Sequence, residues 1–362
     1  MKKILLLGSG KIGRTIASFL SSTDYQVTVA DINQEELNRL KKRVPNVHKA
    51  VRMNAENRTE LVEAMSKNDA VLSALSFRFN PLIAEVALER GLSYFDLTED
   101  VETTRRVREI ATQAKEGQIF MPQCGLAPGF ISVVAKYLTQ GYEKLDTVHM
   151  RVGALPEFPS NIMKYNLTWS TDGLINEYCN PCEAIHEGER QEVLPLEGHE
   201  EFSLDGIRYE AFNTSGGLGT LCETFDGKVR ELNYRTIRYP GHRELMAFLL
   251  DELRLSQRRE LLKDILESAI PITYQDVVVV FSSVTGWKDG RYVQTSDARK
   301  IYMQRVDNTP WSAIQITTAA GICAAVDLHM LGKLPAKGFV RQEDIAFPDF
   351  IENRFGKYYA TS

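Results

Sequence analysis

The chain has 362 residues, with 43 lysine and arginine against 48 aspartate and glutamate side chains and a formal net charge of −5. One hydrophobic core stops growing at about 250–300 residues, so the length predicts about two domains. The mild acidity excludes a global field that gathers nucleic acid or an anionic membrane, and no stretch approaches the roughly 18 consecutive apolar residues of a membrane helix.

The chain opens KKILLLGSGKIGRTIASFL, residues 2 to 20. A basic start before an apolar run suggests export, but the run from Ile4 to Leu7 ends well short of the roughly 7–15 residues that a signal requires. From residue 3 to about 123, short apolar or β-branched runs alternate with stretches of helical period, which predicts βα units and a parallel sheet. Six strands are read: KILLLG, QVTVAD, VHKAVRMN, DAVLSAL, SYFDL and QIFMPQC, with helices over 33–43, 57–67, 80–90 and 100–116.

Gly8, Gly10 and Gly13 form a GxGxxG that follows the first strand and opens a helix. In this pattern the first glycine allows the tight turn, the second lets backbone approach a pyrophosphate and the third lets helix pack on strand. Lys11 and Ile12 complete the loop, whose N–H groups point at the phosphates. Asp31, 18 residues after Gly13 at the end of the second strand, is placed to accept both ribose hydroxyls. Its carboxylate repels a 2′-phosphate, so NAD is expected over NADP; Arg52, at the end of the third strand, is the residue able to reverse that preference.

Ligands of open parallel sheets bind beyond the carboxyl ends of the strands, where Asp96 and Cys124 stand. Asp96 suits a proton acceptor, an anchor for a cationic amine, or a helix cap; Cys124 suits a catalytic thiol or a small buried residue. Pro128-Gly129 marks a boundary, and FISVVAKYL reads as a helix leading out of the sheet. Beyond it, TVHMRVGAL reads as a strand, and VVVVFSSVTGW with RYVQTSDARKIYMQRV as a hairpin around a KDG turn. Five cysteines, an odd count in a chain that folds without staples, read as reduced thiols in a cytoplasm. Cys179 and Cys182 form a lone CxxC with no second ligand pair at a suitable spacing, so no metal is expected. Thr214-Ser215-Gly216-Gly217 is a hairpin device or a cradle of N–H groups for a carboxylate, and Arg238, inside a TIRY strand, needs a carboxylate partner. WSAIQITTAAGICAAVDLHML, 311 to 331, reads as a long small-residue helix packing between the domains, and the tail after Gly332 as a partly ordered surface segment.

These readings give an α/β fold: a Rossmann-type doubly wound parallel sheet over 1–125, an α+β domain with a mixed or antiparallel sheet over 126–310, and a C-terminal helix and tail over 311–362. Four segments, GLAPGF, YNLTWSTDGLINEY, AFNTSGGLGTL and YRTIRYPGH, resemble the saccharopine dehydrogenase family over nearly the whole length, with bacterial lysine 6-dehydrogenases the nearest branch. The resemblance implies pyridine-nucleotide oxidation of a lysine-derived amine through an imine, a Rossmann domain with an inserted α/β domain, and a homodimer. It implies that Asp96 and Cys124 are catalytic, although lysine 6-dehydrogenases carry an aspartate where Cys124 stands. It also implies that Tyr165, Trp169 and Ser170 line the substrate pocket and that Arg238 and His242 lie near the substrate, whose carboxylates call for a cation, best an arginine. The function expected is therefore saccharopine dehydrogenase type. Lysine 6-dehydrogenase, a carboxynorspermidine-type dehydrogenase and a non-catalytic NAD sensor stand as alternatives. The partner expected is a small amino acid, not nucleic acid or membrane.

Overall fold

The computed structural model describes residues 2–306 and 308–360. Its contacts divide the chain into two compact units, one holding residues up to 133 together with 315–360, the other 134–314.

The first unit is a parallel sheet of β1 (Lys3–Leu7), β2 (Gln26–Asp31), β3 (Lys49–Arg52), β4 (Ala70–Ser73), β5 (Ser93–Asp96) and β6 (Ile119–Met121), extended by a strand from the tail. The helices between them are α1 (Lys11–Ser21), α2 (Gln34–Arg43), α3 (Arg58–Met65), α4 (Asn80–Arg90) and α5 (Val101–Ala111). The order β3-β2-β1-β4-β5-β6 reverses between β1 and β4, the switch point at which doubly wound sheets open a crevice. Helices on both faces explain the near-continuous apolar strands: Ile4 to Leu7 and Ala70 to Leu72 are fully buried. Local chemistry sets the helix starts. Asn33 caps α2 by accepting from the Glu35 and Glu36 amides, and Asn57 caps α3 in the same way.

Two expectations need correction here. The tail after Gly332 is not a loose surface segment: Gly338–Phe339 adds a seventh parallel strand beside β6, and Val340, Phe350 and Tyr359 are buried. The helix Ala313–Met330 is, by length and composition, apolar enough to cross a membrane, with a mean hydropathy of 1.3, yet 83% of it is buried inside the protein as a core helix. From residue 315 it belongs to the first unit, so the unit boundary falls inside a helix.

The second unit begins with most of α6 (Phe130–Leu138) and carries β7 (Lys144–Pro156), α7 (Thr171–Cys179), β8 (Cys182–His186), β9 (Glu189–Val193), β10 (Glu200–Leu204), β11 (Ile207–Asn213), β12 (Glu231–Arg238), β13 (Asp276–Lys288) and β14 (Arg291–Tyr302). The sheet is mixed. β7 and β12 run parallel, and the remaining neighbours in the order β10-β11-β12-β7-β13-β14 are antiparallel. β13 and β14 pair from Val277 opposite Tyr302 to Lys288 opposite Arg291, closed by Asp289 and Gly290 at φ 53° and 68°, the left-handed pair that a tight hairpin requires. One face of this sheet carries Phe212, Thr236 and Arg238 toward an apolar cluster that includes Tyr165, Leu174, Tyr178 and Leu250. The opposite face carries Arg235, Arg151 and His149.

Candidate active site

The glycine loop has the form that a dinucleotide requires. Gly8 sits at φ +101°, and a Cβ on Gly13 would lie 2.1 Å from the Gly8 carbonyl oxygen, so neither position admits a side chain. A Cβ on Gly10 would meet nothing within 4 Å, which leaves open the space through which a pyrophosphate approaches. Helix α1 starts at Lys11 with no side-chain cap at Gly10, the arrangement in which a helix N-terminus faces phosphate oxygens. Asp31 is tied to the loop itself: its Oδ2 accepts from the Ser9 amide at 2.6 Å and the Ser9 hydroxyl at 2.8 Å, and its Oδ1 from the Asn33 amide at 2.8 Å. Arg52 stands opposite Asp31 in the strand register, exposed, its Nε donating to the Ile32 carbonyl at 3.3 Å. The residues present fit a nicotinamide dinucleotide.

At the carboxyl ends of β5 and β6 lies a closed polar cluster. Asp96 is fully buried, and its Oδ1 accepts from the Thr98 and Gln123 amides at 2.9 and 3.0 Å. Its Oδ2 accepts from the Tyr94 hydroxyl at 2.6 Å. Burial raises its pKa to about 6 against the pull of those three donors. Asp96 does not cap a helix, because Asp100 does that for α5 through the Thr103 amide at 2.7 Å. Cys124 is its neighbour, with the Cys124 amide donating to the Asp96 carbonyl at 2.8 Å. The Cys124 thiol donates to the Met121 carbonyl at 3.0 Å and accepts from Gln342 Nε2 at 3.1 Å, and burial pushes its pKa well above the usual range. A buried thiol with both hydrogen-bonding roles taken is disfavoured as a thiolate, which speaks against the catalytic part expected of Cys124.

The second unit brings together Tyr165, Trp169, Arg238 and His242. Arg238 is buried, its guanidinium 5.1 Å over the Tyr165 ring and 5.7 Å over the Tyr178 ring. Its Nε donates to the Tyr178 hydroxyl at 2.8 Å and one Nη to the Ile237 carbonyl at 2.8 Å. Burial works against its charge, but Tyr178, Tyr165 and Glu177 hold its pKa above the ordinary value, so it stays a cation. His242, expected near the substrate, is not a second cation. Burial, with Arg238 beside it, lowers its pKa to about 3. Both ring nitrogens are engaged, Nδ1 with the Met163 carbonyl at 2.9 Å and Nε2 with the Tyr178 hydroxyl at 3.1 Å. A carbonyl only accepts, so Nδ1 carries the proton, Nε2 accepts from Tyr178, and Tyr178 in turn accepts from Arg238. His242 thus fixes the tyrosine that fixes the arginine.

Around this relay, polar groups lack partners. The Thr214 hydroxyl and Asn166 Oδ1 are buried with no hydrogen bond, and the buried Tyr165 and Thr168 hydroxyls make none of ordinary geometry, only a weak interaction of Tyr165 with Thr168 and with Trp169. Trp169 and Thr168 flank the Tyr165 hydroxyl, and the loop of Thr214 meets the end of α7, where the Ser215 amide donates to the Glu177 carbonyl at 2.9 Å. Ser170 has a different part from the one expected: it caps α7 by accepting from the Gly173 amide at 3.2 Å. Sequence reading missed Tyr178 and Thr168. Both lie inside the YNLTWSTDGLINEY segment, and Tyr178 follows Leu174 by four residues on the buried stripe of α7, a spacing that pointed inward. Cys179 and Cys182 are free thiols. Among the described residues one His/Glu group has metal-like spacing, His186 with Glu187 and Glu231, but Arg230 already pairs with both glutamates at 3.0 Å.

The glycine loop on a doubly wound sheet, with an acid at the end of β2, defines a dinucleotide-binding protein. Matching the chain to known families makes this specific. Residues 4–121 match the saccharopine dehydrogenase NADP binding domain and residues 125–357 the saccharopine dehydrogenase C-terminal domain, so the chain belongs to the saccharopine dehydrogenase family. It is 24% identical over 263 residues to the saccharopine dehydrogenase [NADP(+), L-glutamate-forming] of Schizosaccharomyces pombe, covering 69% of this chain and 58% of that one. The enzyme of the same name from Pyricularia oryzae is 24% identical over 285 residues, covering 75% and 61%. The chain thus matches about three-fifths of the length of these two relatives. Apo saccharopine dehydrogenase (L-Glu forming) from Saccharomyces cerevisiae shares the fold, with a TM-score of 0.78 over 97% of both chains at 18% identity.

Proposed function

We propose that the chain is a nicotinamide-dependent oxidoreductase that acts on a carbon–nitrogen bond of a lysine-derived amino acid, of saccharopine dehydrogenase type. The observation that carries this is the buried Arg238, held by Tyr178 and backbone and bordered by hydroxyls without partners. A fixed guanidinium beside unsatisfied buried donors is a receptor for a carboxylate, and family membership supports an amino acid as its bearer. A nicotinamide nucleotide held by the glycine loop and Asp31 would supply the hydride acceptor. The neutral substrate amine loses hydride from its carbon and a proton from its nitrogen, leaving an imine; water adds to that carbon and the C–N bond breaks, giving a carbonyl compound and an amine. Asp96, with a pKa raised to about 6, is the proposed proton acceptor, its basicity close to the working pH.

The carboxylate of Asp31 supports NAD over NADP, while the named relatives are NADP(+) enzymes and Arg52 is a cation opposite Asp31 in the strand register. The free cysteines support a reducing, cytoplasmic setting, and a homodimer belongs to the same proposal. The test supplies saccharopine and lysine separately, each with NAD and with NADP, and follows reduced nicotinamide. Turnover of saccharopine is expected; turnover of lysine alone replaces the substrate with that of a lysine 6-dehydrogenase. Turnover of neither, while the nucleotide still binds, removes the enzyme reading in favour of a sensor.

A further inference from the structure

We propose that the face of the second unit's sheet opposite Arg238 carries a binding site for a small oxyanion, formed by Arg151, Arg235, His149 and Asn233. This site is separate from the Arg238 cluster, because Arg235 and Arg238 stand three residues apart on β12 and their side chains leave on opposite faces of the sheet. Arg151 on β7 is directly opposite Arg235, and His149 is opposite Asn233, so the four form two adjacent rows of one face.

The charges do not balance. Glu200 accepts from Nε and Nη2 of Arg151 and, at 2.6 Å, from Nη1 of Arg235. One carboxylate thus faces two guanidinium groups. His149 adds no charge: burial, with both arginines nearby, lowers its pKa to about 4. Glu231, two residues before Asn233 on the same strand, also acts on His149 but is paired with Arg230, so around Glu200 two guanidinium groups share one carboxylate, and Arg151 is only 6% exposed.

Hydrogen bonds do not balance either. Arg151 Nη1 and Arg235 Nε are buried and donate to nothing, and Asn233 Oδ1 is buried without a partner. Leaving such donors unmatched is costly, and the cost is largest for charged groups. Turning the Asn233 amide, whose O and N are interchangeable by half a rotation, adds two more donors on the same side. A ligand that answers this set has acceptors only and carries negative charge. A cation is repelled and a neutral ligand leaves the excess charge in place. Phosphate and carboxylate groups have the required chemistry and the geometry that guanidinium forks match.

The experiment uses the full chain with its histidines labelled for NMR, the His149 signal assigned with His149→Gln, and NAD present in excess so that the glycine loop is filled. Inorganic phosphate and succinate are titrated in separate arms, which tell a phosphate ligand from a carboxylate one. The expected result is a saturable shift of the His149 signal and a rise of its pKa on binding, since a nearby anion favours the imidazolium. Arg235→Met is expected to weaken that binding at least tenfold and Arg235→Lys to weaken it less, while His149→Gln retains binding by calorimetry. An unmoved His149 signal in both arms up to about 50 mM, a range covering the weakest specific sites, overturns the proposal. So does an affinity unchanged by Arg235→Met in protein that remains folded. If Arg235→Met alters sedimentation while neither anion binds, the unmatched donors belong to a contact with another copy of the chain, and the proposal falls.

Discussion

The two polar clusters assigned to the reaction differ in one respect. At the ends of β5 and β6, Asp96 has three donors and the Cys124 thiol both gives and receives a hydrogen bond. Beside Arg238 the Tyr178 hydroxyl and His242 are satisfied, but the Tyr165 and Thr168 hydroxyls make no hydrogen bond of ordinary geometry, and the Thr214 hydroxyl of the same unit makes none. A buried group that is satisfied has been built to hold a position or a pKa, whereas one that is unsatisfied is waiting for a ligand. On the proposed function, the bonded groups of the first cluster set proton affinity, and the unbonded hydroxyls of the second are the ones left for a ligand.

The comparison breaks most readily at Arg238. Arg238→Met should lower kcat/KM by at least about 100-fold, close to 3 kcal/mol, with the nucleotide Kd unchanged. An equal loss of nucleotide affinity would show that the variant had damaged the fold. Asp96→Asn should cost about 100-fold in kcat and abolish the limb of the pH profile near 6. The sign is fixed by deprotonation: the wild-type rate rises with pH through about 6. Its stability counterpart runs the other way. Asp96 and Asp276 both have pKa values raised by burial to about 6 from 3.8, so the folded chain binds protons that the unfolded chain has released. The stability linked to these groups is greatest below the unfolded value and is lost as pH rises through 6, which denaturant titrations at pH 5 and pH 7 measure.

At the nucleotide end, Asp31→Ala should weaken NAD about tenfold and shift the balance toward NADP; Arg52→Ala should weaken NADP alone by a similar factor. Calorimetry with both nucleotides reads each change, and an Arg52→Ala that leaves NADP binding untouched removes that arginine from selectivity. The smallest effect belongs to Ser170→Ala. Loss of the α7 cap should cost about 1 kcal/mol of stability and leave KM within about twofold. A large rise in KM would restore Ser170 to the substrate.

What could be read in advance follows from how local each signal is. The six strands, the glycine loop and Asp31 are legible because strand period, turn chemistry and spacing are encoded within about thirty residues. The seventh strand, Gly338–Phe339, is too short to show alternation and exists only because β6 leaves an edge to pair with. The unit boundary at 314 was hidden because the apolar pattern of the helix runs straight through it. Asp96 and Asp100 are both acids before α5, and only three-dimensional donors decide which one caps. Nothing local shows that His242 is uncharged until its burial beside Arg238 is seen, and Ser170 reads as a ligand until its bond to Gly173 is seen.

The central claim is that the unmatched hydroxyls around Arg238 receive a substrate carboxylate. A crystal structure of the chain with nucleotide and saccharopine, or with lysine if lysine is the one turned over, tests it most directly. The account predicts carboxylate oxygens at about 2.7–2.9 Å from an Arg238 nitrogen and within hydrogen-bond reach of Tyr165 or Thr168. A bound amino acid whose carboxylates lie elsewhere, with those hydroxyls still unmatched, would contradict it.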